Sequence, residues 1–120
     1  MRYFSTRDKK LNFSFTEIFS RGLAPDGGLF IPSELKKYSS SELKSLQNLS
    51  YTDLATEIIS SFCSPDLDKQ KLKILISNAY NNFFTKEVVK IKKIGDIHLL
   101  ELYHGPTLAF KDIAMQVIGN

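Results

Sequence analysis

Apolar residues recur along this chain at two spacings, and the switch between them divides it. Leu72, Leu75, Ile76, Ala79, Tyr80 and Phe83 are separated as one face of a helix is, and they predict a helix over 67–83. Leu54, Ala55, Ile58, Ile59 and Phe62 trace a second such face, and Phe110, Ile113, Ala114, Val117 and Ile118 a third. Between the last two helices the period drops to two. Val88 to Ile94 predicts a strand with Val89 and Ile91 inward and Lys90 and Lys92 outward, and Gly95-Asp96 turns it into a second strand, Ile97 to Tyr103. Near the start, Arg2 to Arg7 reads as a short strand. Leu29-Phe30-Ile31 reads as another, ended by Pro32.

Local signals set the boundaries. In Ser14-Phe15-Thr16-Glu17 the serine hydroxyl can accept from the Glu17 amide while the Glu17 carboxylate reaches back, a capping box. Phe13 and Ile18 form its hydrophobic staple, and Gly22 suits a left-handed end, so the helix runs from Phe15 to Arg21. Ser39-Ser40-Ser41 precedes a short helix with Leu43 and Leu46 inward. Ser50 caps the next, with Asp53 at its third position. Pro25-Asp26-Gly27-Gly28 is a turn; its glycine pair lacks the spacing of a dinucleotide phosphate cradle. No internal repeat or low-complexity linker interrupts the pattern. The final strand and helix have no later strand to pair with, so the chain reads as the front of a larger α/β domain.

Composition changes this picture little. With 120 residues, 42% apolar and 24% charged, the chain suits a soluble globular fold with a small core. The net charge of +3 gathers in two runs, Lys69 to Lys73 and Lys90 to Lys93. Neither is interleaved with aromatics, so each reads as a solvated face, with a basic, non-catalytic interaction module as the competing reading. Cys63 is the one cysteine, which rules out an internal disulfide; on the edge of a helical apolar face it reads as a buried, inert thiol. The first residues contain no apolar signal region, and no apolar run approaches the roughly 20 residues of a membrane span. A cytoplasmic protein, without membrane or nucleic-acid partners, is the expectation.

Chemistry narrows quickly. His98 and His104 are the only histidines, and in a continuous strand they lie about 20 Å apart, too far to share a metal ion. No serine occupies a strand-to-helix elbow, and nothing pairs Glu101 with Asp112. Lys111 remains. It follows a strand and a Gly-Pro turn and falls at the start of a helix, where the backbone dipole disfavours a cation. Such a seat lowers a lysine pKa, and a neutral amine is a nucleophile and a base. An exposed, solvated lysine is the ordinary alternative, and the residues alone leave both open.

His104-Gly105-Pro106-Thr107-Leu108-Ala109-Phe110-Lys111-Asp112, followed by Ile113-Ala114-Met115-Gln116, closely resembles the pyridoxal-phosphate lysine motif of the threonine synthase family. Tyr3-Phe4-Ser5-Thr6-Arg7, the helix residues Phe15 and Ile18, Gly22 through Pro32, and Leu49-Ser50-Tyr51 resemble that family's amino-terminal signatures in the same order. The resemblance implies a fold type II pyridoxal-phosphate enzyme, a lyase that converts O-phospho-L-homoserine and water to L-threonine and phosphate. It implies that Lys111 holds pyridoxal 5′-phosphate as a Schiff base and later takes the substrate α-proton. Phe110 and Asp112 would be its cofactor-side neighbours, and His104 and Thr107 would shape the pocket floor.

The family's Ser/Gly/Thr-rich phosphate loop and the residue facing the pyridine nitrogen come after this motif and are not in these 120 residues. The resemblance therefore implies an amino-terminal piece, inactive alone. Residues 1–85 would form a small, mostly helical domain with short strands. Residues 86–120 would be the first strands and helix of the catalytic domain, with an apolar helix face free to pack on the first domain or on another copy of the chain. A dehydratase of the same cofactor class is the nearest competing enzyme; such relatives commonly carry a serine where Phe110 stands.

Overall fold

The computed structural model describes residues 1–120. Its element order is β1 (Tyr3–Ser5), α1 (Phe15–Arg21), β2 (Phe30–Pro32), α2 (Ser40–Leu46), α3 (Tyr51–Cys63), α4 (Lys69–Tyr80), β3 (Lys90–Ile94), β4 (Ile97–Glu101) and α5 (Asp112–Ile118). The predicted elements are all present, most of them trimmed: α4 loses five residues in all from the expected 67–83, and β4 stops at Glu101 rather than Tyr103. No helix is long and apolar enough to cross a membrane.

Two compact units divide the chain. The first joins Met1–Gln47 to Glu57–Lys69. In it β1 and β2 pair antiparallel, with Tyr3 opposite Pro32 and Ser5 opposite Phe30, and Tyr3 also bridges Phe13. Its core gathers Tyr3, Phe13, Ala24 and Cys63. The Tyr3 hydroxyl donates to the Phe62 carbonyl at 2.7 Å, so the buried ring keeps its polar end satisfied. Both serine caps form as expected. Ser14 Oγ accepts from the Glu17 amide while the Glu17 carboxylate accepts from the Ser14 amide at 2.7 Å, and Ser39 and Glu42 repeat the arrangement ahead of α2. Gly22 takes a φ of +74° at the end of α1. Leu43, expected inward, is instead 51% exposed: α2 buries no residue, so cap chemistry rather than packing fixes it.

The second unit joins Asn48–Thr56 to Gln70–Asn120. Its core is the predicted stripe of α4, with Leu72, Ile76, Ala79 and Tyr80 buried, completed by Val88 and Thr56. Tyr51 and Phe83 each meet the Tyr80 ring edge to face. Ser50 caps α3, its hydroxyl accepting from the Asp53 amide at 3.1 Å, while Asp53 also binds Lys73 at 2.6 Å.

β3 and β4 form a two-residue hairpin, Ile94 opposite Ile97, with Gly95 at φ +60° supplying the left-handed first turn residue. The alternation predicted Ile91 inward; it is 69% exposed, and Val88 is buried instead. Ile94, Ile97, Leu99 and Leu100 are exposed as well, because nothing within the unit covers either face of this ribbon. The same holds for α5, whose expected apolar face leaves Phe110 and Ile118 in solvent. The basic runs are partly neutralised within the fold: Lys69 pairs with Glu57, Lys73 with Asp53 and Lys92 with Glu101.

Candidate active site

The loop from Leu102 to Lys111 links β4 to α5, and two buried carboxylates fasten its ends. Glu101, the last residue of β4, is 3% exposed. It accepts from Lys92 at 2.7 Å and lies 2.9 Å from His104 Nε2. The hydrogen bond from Lys92 is the main cause that pulls its carboxyl down to about 2, against burial that pushes the other way. The hairpin makes this contact possible. Lys92 stands opposite Leu99, so Glu101 is its diagonal neighbour two residues on, on the same face.

Asp112 fastens the other end. One carboxylate oxygen accepts from the Thr107 amide at 2.9 Å and the other from the Thr107 hydroxyl at 2.8 Å. Burial would raise its carboxyl, but those bonds outweigh it and hold the group below its ordinary range. Gly105 lies directly beneath: a Cβ built there would stand 2.3 Å from Asp112 Cβ, so only glycine lets the carboxylate in. Leu108 donates its amide to the Gly105 carbonyl at 3.0 Å and takes a φ of +60°, a left-handed conformation uncommon outside glycine. The chain thus doubles back tightly before α5.

Lys111 is the N-cap of α5, one residue ahead of the expected helical position, and its carbonyl accepts from Met115 at 2.9 Å. Its side chain is exposed and forms no hydrogen bond or ion pair. The adjacent carboxylate, Asp112, is committed to Thr107 and does not pair with it. Phe110, also exposed at 65%, flanks it in sequence. The predicted site residues therefore fall into two groups. Lys111 and Phe110 are presented to solvent; Thr107 and Asp112 bond to each other and His104 to Glu101. Cys63 is buried and its thiol is pushed up to about 11 by desolvation, a structural thiol as expected.

Sequence reasoning missed the Lys92–Glu101–His104 cluster, although a two-residue turn at Gly95-Asp96 already fixes the pairing that makes Lys92 and Glu101 neighbours. It also missed two ties. The Tyr80 hydroxyl donates to the Ile113 carbonyl at 3.0 Å, and the Phe84 amide to the His104 carbonyl at 2.9 Å. They bind α4 and the segment after it to α5 and to the loop's start. Nothing local in sequence announces either.

Comparison with known proteins bears on the whole chain. The family described as Threonine synthase N terminus matches residues 2–80. Threonine synthase of Schizosaccharomyces pombe is 40% identical over 120 residues, and that of Saccharomyces cerevisiae 41% over 129; each match takes in 98% of this chain but 23% and 24% of the relative. Among solved structures, threonine synthase from Brucella melitensis with pyridoxal phosphate bound superposes with a TM-score of 0.93 at 33% identity, covering 98% of this chain and 26% of that one. The yeast enzyme superposes at 0.92 with 39% identity, covering 98% and 25%. The chain thus spans about a quarter of the length of the relatives it matches. The fold is that of the fold type II enzymes, and this chain belongs to the threonine synthase family, corresponding to its amino-terminal part.

Proposed function

We propose that this chain supplies the lysine-bearing side of a pyridoxal-phosphate site for the conversion of O-phospho-L-homoserine and water to L-threonine and phosphate. The observation that carries the reading is Lys111 itself: a solvent-facing amine without a partner, in a loop whose neighbouring polar side chains are bonded to one another. Family membership and the pyridoxal phosphate bound to the Brucella relative point the same way.

The residues present fit one end of that cofactor. An unpaired primary amine suits its aldehyde, and Lys111 Nζ would hold it. The best backbone candidate for its phosphate, Gly27-Gly28, is already spent, since the Gly28 amide donates to Asp26 at 2.8 Å. When bound, the cofactor supplies an electron sink for charge developing at the substrate α-carbon.

The chain's own contribution is position and proton handling. Lys111 Nζ, when free, would accept the α-proton. The exposed Phe110 ring, adjacent in sequence, would be a neighbour of the cofactor. Asp112 and Thr107 act through the backbone by locking the turn that leads to Lys111. His104, held by Glu101, fixes where that turn leaves the strand. In this reading residues 1–85 form the amino-terminal domain and 86–120 open the catalytic domain, the chain alone does not turn over, and the free thiol of Cys63 suits a cytoplasmic setting.

The test is chemical. After incubation with pyridoxal 5′-phosphate and borohydride reduction, peptide mass mapping should find the label concentrated on Lys111 and lost in Lys111→Ala. Label spread evenly over the surface lysines would defeat the reading. Phosphate release from O-phospho-L-homoserine by the chain alone should stay at the blank rate.

A further inference from the structure

The hairpin of β3 and β4 is apolar on both faces, and both faces are bare. Residues opposite one another share a face, so Ile94, Ile97 and Leu99 lie on one side and Ile91 and Leu100 on the other. Each is between 47% and 70% exposed. The two strands differ in the charge they carry. Lys90, Lys92 and Lys93 all stand on β3. β4 has no lysine, and its one carboxylate, Glu101, is taken up by Lys92 and His104. A lysine-bearing strand suits the outer edge of a sheet. A strand apolar on both faces suits the inside of one, with a layer on each side.

The hairpin therefore calls for a strand against the free edge of β4 and for apolar cover on both faces. A second copy of the chain meets only part of this. Pairing β4 with its own copy extends the sheet and leaves both faces open; stacking two hairpins covers one face and leaves the edges open. An α/β domain with helices on both sides of its sheet meets all of it at once. The relatives have the length for such a domain: this chain corresponds to 23% of the Schizosaccharomyces pombe enzyme and 25% of the yeast structure, so roughly three quarters of each lies outside the match. The surface to be joined is already formed. α4 buries Leu72, Ile76, Ala79 and Tyr80 without that partner, and the loop to Lys111 is fastened inside the chain by Glu101 and Asp112.

We infer that the free edge of β4 is the docking edge for the remaining part of a threonine synthase, that β3 stays the outer edge, and that the joint forms even when that remainder is a separate polypeptide. Completion of the site around Lys111 by this partner rests on the reading of Lys111 given above; the docking does not.

A cut fusion tests it. The chain is joined through Asn120 and a protease-cleavable linker to the part of the Schizosaccharomyces pombe enzyme that follows the matched stretch, folded as one polypeptide, and cut. The pieces should stay together on gel filtration and, with pyridoxal 5′-phosphate, release phosphate from O-phospho-L-homoserine. Amide exchange should slow over Ile97–Glu101 more than over Lys90–Ile94. Leu99→Lys or Leu100→Lys places a charge in the joint and should weaken retention about tenfold, while circular dichroism of the chain alone stays as it was. Lys93→Thr, on the outer edge, should leave retention unchanged. Separation of the cut pieces, full retention in both leucine variants, or greater protection of β3 than of β4 would overturn the docking. So would a chain that remains its own dimer in the presence of the remainder, or a fusion that folds neither on this scaffold nor on the Saccharomyces cerevisiae one. Lys111→Ala separates docking from chemistry. Retention with phosphate release lost supports both; retention with phosphate release intact would refute the role of Lys111 and leave the docking standing.

Discussion

Asp112 holds Thr107 twice, by its amide at 2.9 Å and its hydroxyl at 2.8 Å, and so spends on the loop the charge that would otherwise face Lys111. A carboxylate adjacent in sequence to the lysine thus leaves the amine without an ion pair while shaping the backbone that presents it. Replacing Asp112 with Ala should slow borohydride-trapped labelling of Lys111 severalfold while the label stays on the same residue. Thr107→Val, which removes the hydroxyl bond alone, should fall between that variant and the parent.

Gly105→Ala probes the same junction from beneath. The new methyl would need the space that Asp112 Cβ occupies at 2.3 Å, so the loop must shift. Overpacking of this kind costs about 1–3 kcal/mol. Gly22→Ala meets no atom within 4 Å and pays only for its φ of +74°, about 1 kcal/mol. Urea unfolding of the two variants should rank Gly105→Ala as the more damaging, and only Gly105→Ala should alter labelling at Lys111.

The two capping boxes should differ in what they do for global stability. Ser14→Ala removes the cap of α1 and should cost about 1 kcal/mol. Ser39→Ala removes an equivalent cap from α2, a helix that buries no residue. Its loss should free α2 locally, seen as faster amide exchange over Ser40–Leu46, with little movement of the unfolding midpoint.

Acid sensitivity should trace partly to Glu101. Its carboxyl is depressed from 4.5 to about 2, chiefly by the hydrogen bond from Lys92, so folding favours the ionised form. That stabilisation is complete above pH 4.5 and disappears as the pH falls through 2. Lys92→Met should return the Glu101 titration, followed by carboxyl ¹³C shifts, toward 4.5 and flatten the loss of stability across that interval. An unmoved titration would mean that Lys92 is not the cause.

Cys63 should resist alkylation in the native chain. It is 2% exposed and its thiol is pushed up to about 11, so both access and thiolate are scarce at neutral pH. Labelling by iodoacetamide should require opening of the fold and accelerate with denaturant in step with unfolding.

Much of this was legible beforehand, and for physical reasons. Serine caps, Gly22 and the Gly95-Asp96 turn depend on neighbours within four residues, so sequence alone determines them, and α4 declares its core by repetition. Inward positions were misjudged where no layer exists to receive them: Leu43, Ile91 and Phe110 follow the rule for a buried face, but the rule presumes a covering surface. The lysine is singled out by its motif, whereas the contacts around it are not. Glu101 with Lys92, Tyr80 with Ile113 and Phe84 with His104 join residues remote along the chain, and their identities suit many other arrangements equally well.

The bare hairpin of β3 and β4 has a practical corollary. A ribbon with two open edges and isoleucines on its surface is a template on which a neighbouring molecule can add a strand. Lys90 and Lys93 are what stand in the way, since like charges stacked in register repel. High salt should therefore turn a dispersed solution of this protein turbid, and exchanging those lysines for threonine should bring clouding on at far lower ionic strength.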